Sequence, residues 1–118
     1  MDENNLKGRT KQFGLRVMCL VDALPNTTSG RAIGNQLIRS GTSVGANYRA
    51  ACRGRSRAEF IAKLGIVVEE ADECCYWLEL IMEGGLLPPV KVMPLHTEAE
   101  ELTAIFVAAV HTAKKNEP

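Results

Sequence analysis

The longest helical pattern in this sequence begins at Ser56, and it constrains the fold more than any other feature. Ser56 and Glu59 have the spacing of a capping box, in which the serine hydroxyl accepts from the backbone amide of the glutamate. Gly84-Gly85 marks the end of the pattern. In between, apolar residues fall at three positions of a heptad frame: Ile61, Val68, Cys75 and Met82 at a, Leu64, Ala71 and Leu78 at d, and Phe60, Val67, Cys74 and Ile81 at g. An apolar stripe of this length requires other helices to cover it.

Three other segments repeat apolar residues at helical spacing and are predicted to be helices: residues 7–24, 30–53 and 95–115. Pro25 and Gly54 follow the first two segments, and Pro94 precedes the last. The middle of the second segment, residues 40–46, contains two glycines, each of which costs about 1 kcal/mol relative to Ala in a helix. Because the apolar spacing stays in phase there, we predict one continuous helix. A break near Gly41 is the alternative.

The lengths of the connections predict how these helices are arranged. Short links join the first three helices, which makes consecutive helices antiparallel neighbours. The connection over residues 86–93 is long enough to return the fourth helix beside the third. We therefore predict an all-α, antiparallel up-down-up-down four-helix bundle over residues 7–115, with the third helix at about 56–84. Residues 1–6 are predicted to be a disordered N-terminal tail, and residues 116–118 a C-terminal tail.

Charge is divided unevenly between the two halves of the chain, although the net charge is zero. Residues 1–63 hold eleven cations against four acids, a net charge of +7, so the remainder carries −7. Such a division serves an acidic partner, or it lets the two halves attract each other as they fold together.

The sequence gives no support for catalysis or for a bound metal or cofactor. Di-iron bundles require Glu-x-x-His pairs, and neither His96 nor His111 belongs to one. The four cysteines include no Cys-x-x-Cys pair, so we expect free thiols in a reducing compartment. Because the N-terminal segment is polar and no apolar run approaches about 18 residues, we expect a cytoplasmic protein with neither a signal peptide nor a membrane span.

Five arginines form the candidate nucleic-acid-binding site: Arg39, Arg49, Arg53, Arg55 and Arg57. At 100° per residue, the three arginines on the second helix project within about 80° of one another, and the other two extend the patch into the following turn. A concentration of arginines of this kind binds phosphate backbones through charge. Alternatively, Arg39 and Arg49 neutralise Glu69, Glu70 or Glu73 of the third helix, within one subunit or between subunits.

The third helix also carries apolar residues on the side that a lone bundle would expose. Ile66, Glu73 and Leu80 fall at position f, and Tyr76 and Trp77 flank them. A helix that is apolar over so much of its circumference is usually covered by more than its bundle partners. We predict that these five residues form a subunit interface. Fuller burial inside a monomer is the alternative.

Several motifs resemble the 23S rRNA intervening-sequence protein family. They are Leu37-Ile38-Arg39-Ser40-Gly41-Thr42-Ser43-Val44-Gly45-Ala46-Asn47-Tyr48-Arg49, Ser56-Arg57-Ala58-Glu59-Phe60-Ile61-Ala62-Lys63-Leu64, Glu69-Glu70-Ala71-Asp72-Glu73 with Tyr76-Trp77-Leu78-Glu79-Leu80, and Glu101-Leu102-Thr103-Ala104-Ile105-Phe106. The resemblance covers about residues 13–115. It implies a four-helix bundle that associates into a ring of five subunits, similar in fold to the accessory protein of diversity-generating retroelements. That accessory protein pairs with a reverse transcriptase and carries basic surfaces for nucleic acid.

These observations lead to one functional hypothesis and one alternative. The hypothesis is a non-enzymatic homo-oligomer, a pentamer by resemblance, that binds RNA, DNA or a nucleic-acid-handling protein through its arginines. The alternative is a protein–protein interaction scaffold that makes no contact with nucleic acid. It would present Tyr76, Trp77 or the connection over residues 86–93 to a protein partner.

Overall fold

The computed structural model describes residues 2–116 and contains four helices. They are α1 (Glu3–Asp22), α2 (Thr28–Cys52), α3 (Arg57–Glu83) and α4 (Pro89–Lys115), and the described residues include no strand. Consecutive helices pack closely against each other, α1 and α4 pack less closely, and α1 makes no backbone approach to α3. The molecule measures 51 × 20 × 20 Å. The predicted all-α four-helix bundle is confirmed, and the contacts fit the antiparallel up-down order.

Side-chain caps fix the start of three helices. The side chains of Asp2, Thr27 and Ser56 accept hydrogen bonds from backbone amides three residues on, at distances of 2.8, 3.1 and 3.1 Å. The cap at Ser56 confirms the predicted start of α3. The cap at Asp2 starts α1 at Glu3, four residues earlier than predicted, because it satisfies an amide of the first turn. Residues 3–6 are therefore helical rather than part of a tail; Met1 and residues 117–118 lie outside the described residues.

The helix α2 continues without a break through the glycine-rich region at residues 40–46. A Cβ atom added at Gly41 would lie 2.7 Å from both methyl carbons of Val17 on α1. Since Val17 is fully buried, the absence of a side chain at Gly41 lets the two helices approach closely. Tertiary packing thus offsets the poor helix propensity of this segment.

The helix α4 begins at Pro89, six residues before the predicted start. Pro89 occupies the first helical position, where a missing amide hydrogen costs nothing. Pro94 lies inside the helix and removes one backbone hydrogen bond. The helix nevertheless extends through it, because Val92 and Leu95 are buried in the core. Burial of these two side chains explains why the sequence-based boundary at residue 95 was wrong.

The core of the bundle is lined by positions d and g of α3. Buried residues on this helix are Leu64, Val67, Ala71, Cys74, Cys75, Leu78 and Ile81. Position a is mostly half-buried, as at Ile61, Val68 and Met82, so the buried stripe is rotated from the predicted centre. Across the core, the rings of Tyr48 on α2 and Phe106 on α4 lie 5.2 Å apart. The structure therefore buries the predicted stripe but turns its a positions toward the edge.

Candidate nucleic-acid interface and subunit surface

Three of the predicted arginines lie together at one end of the bundle. Arg53 caps the C-terminus of α2, Arg55 lies in the link, and Arg57 is the first residue of α3. All three are exposed, and none forms an ion pair with another described residue. The structure thus brings together the part of the predicted site that crosses the α2–α3 link.

Two lysines from α4 reach the same end of the bundle. The contact between His96 and Glu79, 2.9 Å between side-chain atoms, fixes the alignment of α4 against α3. From this contact, Arg57 lies roughly 33 Å along α3 and Lys115 roughly 28 Å along α4 in the same direction, at 1.5 Å per residue. Lys114 and Lys115 are exposed. We call the set Arg53, Arg55, Arg57, Lys114 and Lys115 the basic end.

Sequence reasoning missed the two lysines because they lie far from the arginines along the chain. The antiparallel order of α3 and α4 would have indicated their position, since it places the start of one helix beside the end of the other.

Helix dipoles act differently on the members of the basic end. Arg53, Lys114 and Lys115 lie at helix C-termini, where the partial negative charge favours cations. Arg55 and Arg57 lie at the N-terminus of α3, where the partial positive charge disfavours them. Only Glu59 supplies an acid in that first turn. An anion bound near Arg55 and Arg57 would relieve this repulsion.

Of the other two predicted arginines, Arg39 lies away from the basic end, whereas Arg49 lies in the last turn of α2, one turn before Arg53. Arg39 pairs across to α3 with Glu70, 3.2 Å away, and with Glu73. That placement favours the structural alternative for Arg39. Arg49 is exposed, forms no ion pair within residues 2–116, and lines a groove between α1 and α2. Of the predicted five, therefore, three surround the α2–α3 link, Arg49 lies one helical turn before them, and only Arg39 is paired with α3.

The five predicted interface residues on α3 also separate into two groups. Ile66 and Tyr76 are 36% and 55% exposed. Trp77 and Leu80 are half-buried, Trp77 packs against the core, and Glu73 pairs with an arginine of α2. The side of α3 that faces away from the bundle therefore presents only the first two.

Three acidic side chains accompany Ile66 and Tyr76 on this side of α3. We call the following exposed set the outer face of α3: Ile66, Glu69, Asp72, Tyr76 and Glu83. Its three carboxylates form no ion pair within the described part of the chain. Because residues 64–83 include no Lys or Arg, the outer face is uniformly acidic.

Ion pairs join the basic and acidic halves of the chain, as one of the two interpretations of the charge division predicts. Arg9 of α1 contacts Glu98 at 2.7 Å and Glu101 at 2.9 Å on α4. The hydrogen bond from its guanidinium to Glu98 raises the pKa of Arg9, which stays charged. The sequence pattern did not identify this pair, because nothing local links residues so far apart.

The described residues offer little to a catalytic or metal-binding interpretation. No group of three or more His, Cys, Asp or Glu residues among them could hold a metal ion. The four cysteines are free, and burial raises the pKa of the Cys74 thiol to about 12 and that of the Cys75 thiol to about 11. No helix within residues 2–116 is long and apolar enough to cross a membrane.

Comparisons with known proteins identify relatives over nearly the whole chain. Residues 3–108 match the family model of the 23S rRNA-intervening sequence protein. A 1.70 Å crystal structure of a protein with unknown function from the S23 ribosomal protein family of Bacteroides thetaiotaomicron superposes with a TM-score of 0.86. The two sequences are 32% identical, and the match covers 94% of this chain and 99% of that one. No curated protein matched this chain.

Proposed function

This chain belongs to the 23S rRNA-intervening sequence protein family, and from that premise we propose that it is a non-enzymatic, nucleic-acid-binding homo-oligomer of the cytoplasm. Its basic end binds the phosphate backbone, and RNA is the nucleic acid that the family name favours. The proposed assembly is a ring of five subunits, which the family resemblance implies. In such a ring each subunit contributes one basic end, which multiplies the local positive potential.

The strongest support for the proposal is the concentration of unpaired cations at one end of a neutral protein. The five residues of the basic end come from three parts of the chain, and none of them forms an ion pair within residues 2–116. Acids at this end are Asp2, Glu3 and Glu59, and Glu3 is paired with Lys7. Arg55 and Arg57 are repelled by the N-terminus of α3, so phosphate oxygens there gain both from the cations and from the helix dipole. Arginine also pairs with phosphate through two parallel hydrogen bonds.

The aromatic residues favour binding to the backbone rather than to bases. Proteins that bind single-stranded nucleic acid through its bases stack those bases on exposed aromatic rings. Near the basic end, Tyr48 is buried and Phe60 is half-buried against the core. The exposed Tyr76 lies roughly 28 Å along α3 from Arg57, at 1.5 Å per residue. Binding is therefore independent of base sequence.

The salt dependence of RNA binding tests the proposal. Fluorescence anisotropy of a labelled single-stranded RNA should show binding at low salt, with an affinity that falls as salt rises because bound counterions are released. The variant Arg53→Gln/Arg55→Gln/Arg57→Gln should bind more weakly, and its slope of log affinity against log salt should be shallower by roughly 2, at about 0.7 per phosphate contact.

A matched pair of single variants controls for the loss of charge itself. Arg55→Gln removes one exposed cation from the basic end, and Arg31→Gln removes one from the opposite end of α2. Only the first should change the salt slope. Absence of RNA binding at low salt, or equal slopes for the triple variant and the unsubstituted protein, would refute nucleic-acid binding by this end.

The exposed Tyr76 favours a second candidate function, an interaction scaffold for a protein partner. An exposed tyrosine beside acidic groups is the kind of residue that anchors protein interfaces. The two candidates differ in an affinity purification treated with nuclease. Recovery of one protein in constant yield after the treatment, together with no RNA binding in the anisotropy assay, would establish the scaffold.

A further inference from the structure

The side of α1 that faces away from the bundle is apolar and grooved. Leu15 and Met18 are 48% and 44% exposed there. A groove of about 510 Å³ lies between this side of α1 and the start of α4, and it is lined by Leu15, Cys19 and Leu87 among others. A second groove, of about 280 Å³, lies between α1 and α2. Leu15 lines both grooves and forms the ridge between them.

Cations surround this ridge, and no acid lines either groove. Arg16 and Lys91 line the groove toward α4, and Lys11 and Arg49 line the groove toward α2. None of these four forms an ion pair within residues 2–116. We call the following set the α1 surface: Lys11, Leu15, Arg16, Met18, Arg49 and Lys91. It combines exposed apolar side chains with unneutralised positive charge.

The outer face of α3 has the complementary composition. It presents Ile66 and Tyr76 among three unpaired carboxylates, and no cation interrupts it. Along its helix, the α1 surface extends roughly 10 Å from Lys11 to Met18 and the outer face of α3 extends roughly 26 Å from Ile66 to Glu83, at 1.5 Å per residue, so the outer face is long enough to cover the α1 surface. They lie on opposite sides of one subunit, since α1 and α3 are diagonal in the bundle. The two faces of one chain therefore cannot cover each other.

We propose that the α1 surface of one copy receives the outer face of α3 of a second copy. This inference rests on the self-association in the proposed function, and it names the two surfaces that meet when copies associate. Leu15 and Met18 pack against Ile66 and Tyr76, while the cations of one copy face the acids of the other. The contact is heterologous, so each subunit uses one surface to receive and the other to dock. Charge complementarity selects this pairing over contacts between like surfaces, which would bring together charges of one sign.

Two variants, each with one surface removed, test this arrangement. Leu15→Glu/Met18→Glu replaces the apolar side chains of the α1 surface with carboxylates, which would lose their hydration against Ile66 and Tyr76. Ile66→Glu/Tyr76→Glu removes the apolar residues of α3. Light scattering should give the monomer mass of 12.9 kDa for each variant alone. An equimolar mixture should show twice that mass, because each variant keeps the surface that the other lacks and the two substituted surfaces have both lost the apolar residues of the contact.

The other outcomes separate this inference from the proposed function. If the unsubstituted protein is itself a monomer, self-association is refuted, while RNA binding stands on its own assay. If the protein associates but one variant alone keeps the full mass, or the mixture stays monomeric, the pairing of these two surfaces is refuted.

Chemical crosslinking gives a second measurement, which identifies the two surfaces that meet. Cys19 is exposed beside the groove toward α4. In a Tyr76→Cys variant, a short bis-maleimide should join Cys19 of one copy to position 76 of another, and Cys19→Ser should abolish the product. Crosslinks that join position 76 to position 76 instead would refute the head-to-tail contact.

Discussion

Cys74 and Cys75 are adjacent in the sequence, and both thiols are buried in α3. Cys74 lies 3.4 Å from the hydroxyl of Ser40, and Cys75 lies 3.6 Å from the backbone oxygen of Ala71. Because burial disfavours the thiolate, the pKa of each thiol lies above the ordinary value of 9.0. The neutral thiols contribute stability that is fully present below pH 9. That contribution is lost as the pH rises toward the folded-state pKa values of about 11 and 12.

These thiols should therefore be unreactive in the folded protein. In a Cys19→Ser/Cys52→Ser variant, which keeps only the buried pair, a thiol-reactive dye at pH 8 should label the protein slowly. The rate should rise to that of a free thiol when denaturant unfolds the chain. Rapid labelling of the folded variant would show that the thiols are accessible, and a circular dichroism spectrum with native helicity would exclude unfolding as the reason.

At the scale of single residues, sequence reasoning identified caps better than charge partners. The hydroxyl of Ser56 was predicted to bond the amide of Glu59, and it does so at 3.1 Å, because capping depends only on local spacing. The partners of Arg9 on α4 could not be predicted, since the ion pair depends on how two distant helices align. For Arg39, the sequence analysis named Glu70 and Glu73 among the possible partners, and these are the two glutamates that it contacts.

The helices α1 and α2 pack closely because α2 carries glycine at their crossing. A Cβ atom at Gly41 would meet the side chain of Val17, whereas a Cβ atom at Gly8 would meet nothing within 4 Å. Gly8 is exposed in α1, so its only effect on stability is the conformational freedom that glycine loses on folding. Alanine substitutions at Gly41 and Gly8 can therefore be compared with each other.

Alanine at these two positions should change stability in opposite directions. Gly41→Ala should lower the free energy of unfolding by roughly 1–3 kcal/mol, because Val17 is fully buried and cannot move aside without strain. Gly8→Ala should raise it by roughly 0.5–1 kcal/mol. Urea unfolding followed by circular dichroism, at one fixed protein concentration, measures both. Equal stabilisation by the two substitutions would contradict the close approach of the helices.

At the scale of elements, the long apolar patterns predicted the number, type and order of the helices. The predicted starts of two helices, α1 and α4, were wrong for different reasons. The helix α1 begins early because Asp2 provides a cap that was not recognised. The helix α4 begins early because burial of Val92 and Leu95 outweighs the cost of Pro94. The sequence of a segment that contains proline does not by itself show whether its apolar side chains are buried.

The whole molecule is neutral but has strongly charged regions: a basic end, a basic α1 surface and an acidic outer face of α3. The single tryptophan, Trp77, lies beside that outer face, with its ring 5.1 Å from that of Tyr76. Its indole Nε1 is buried and has no hydrogen-bond partner within residues 2–116. Because Trp77 as a whole is only half-buried, its emission reports whether the outer face of α3 is covered.

Assembly should change this emission. As the protein concentration rises through the range in which light scattering detects association, the emission maximum should shift to shorter wavelength and quenching by acrylamide should fall. The reason is that a second copy covers Tyr76 and excludes water from the neighbouring indole. The Leu15→Glu/Met18→Glu variant, whose α3 is unchanged, should show no shift. A rise in mass with unchanged emission would indicate a contact that does not involve the outer face of α3.

The sequence by itself determined that this protein is a bundle of four helices, since apolar periodicity and local capping act over a few residues at a time. It also determined that the arginines around the α2–α3 link would be close together, because they are close along the chain. Only the tertiary structure decided that Lys114 and Lys115 join them, that Arg39 is neutralised by α3, and that Trp77 turns toward the core while Tyr76 remains exposed. These outcomes depend on the rotation and axial alignment of each helix against its neighbours, which the packing of the entire core sets.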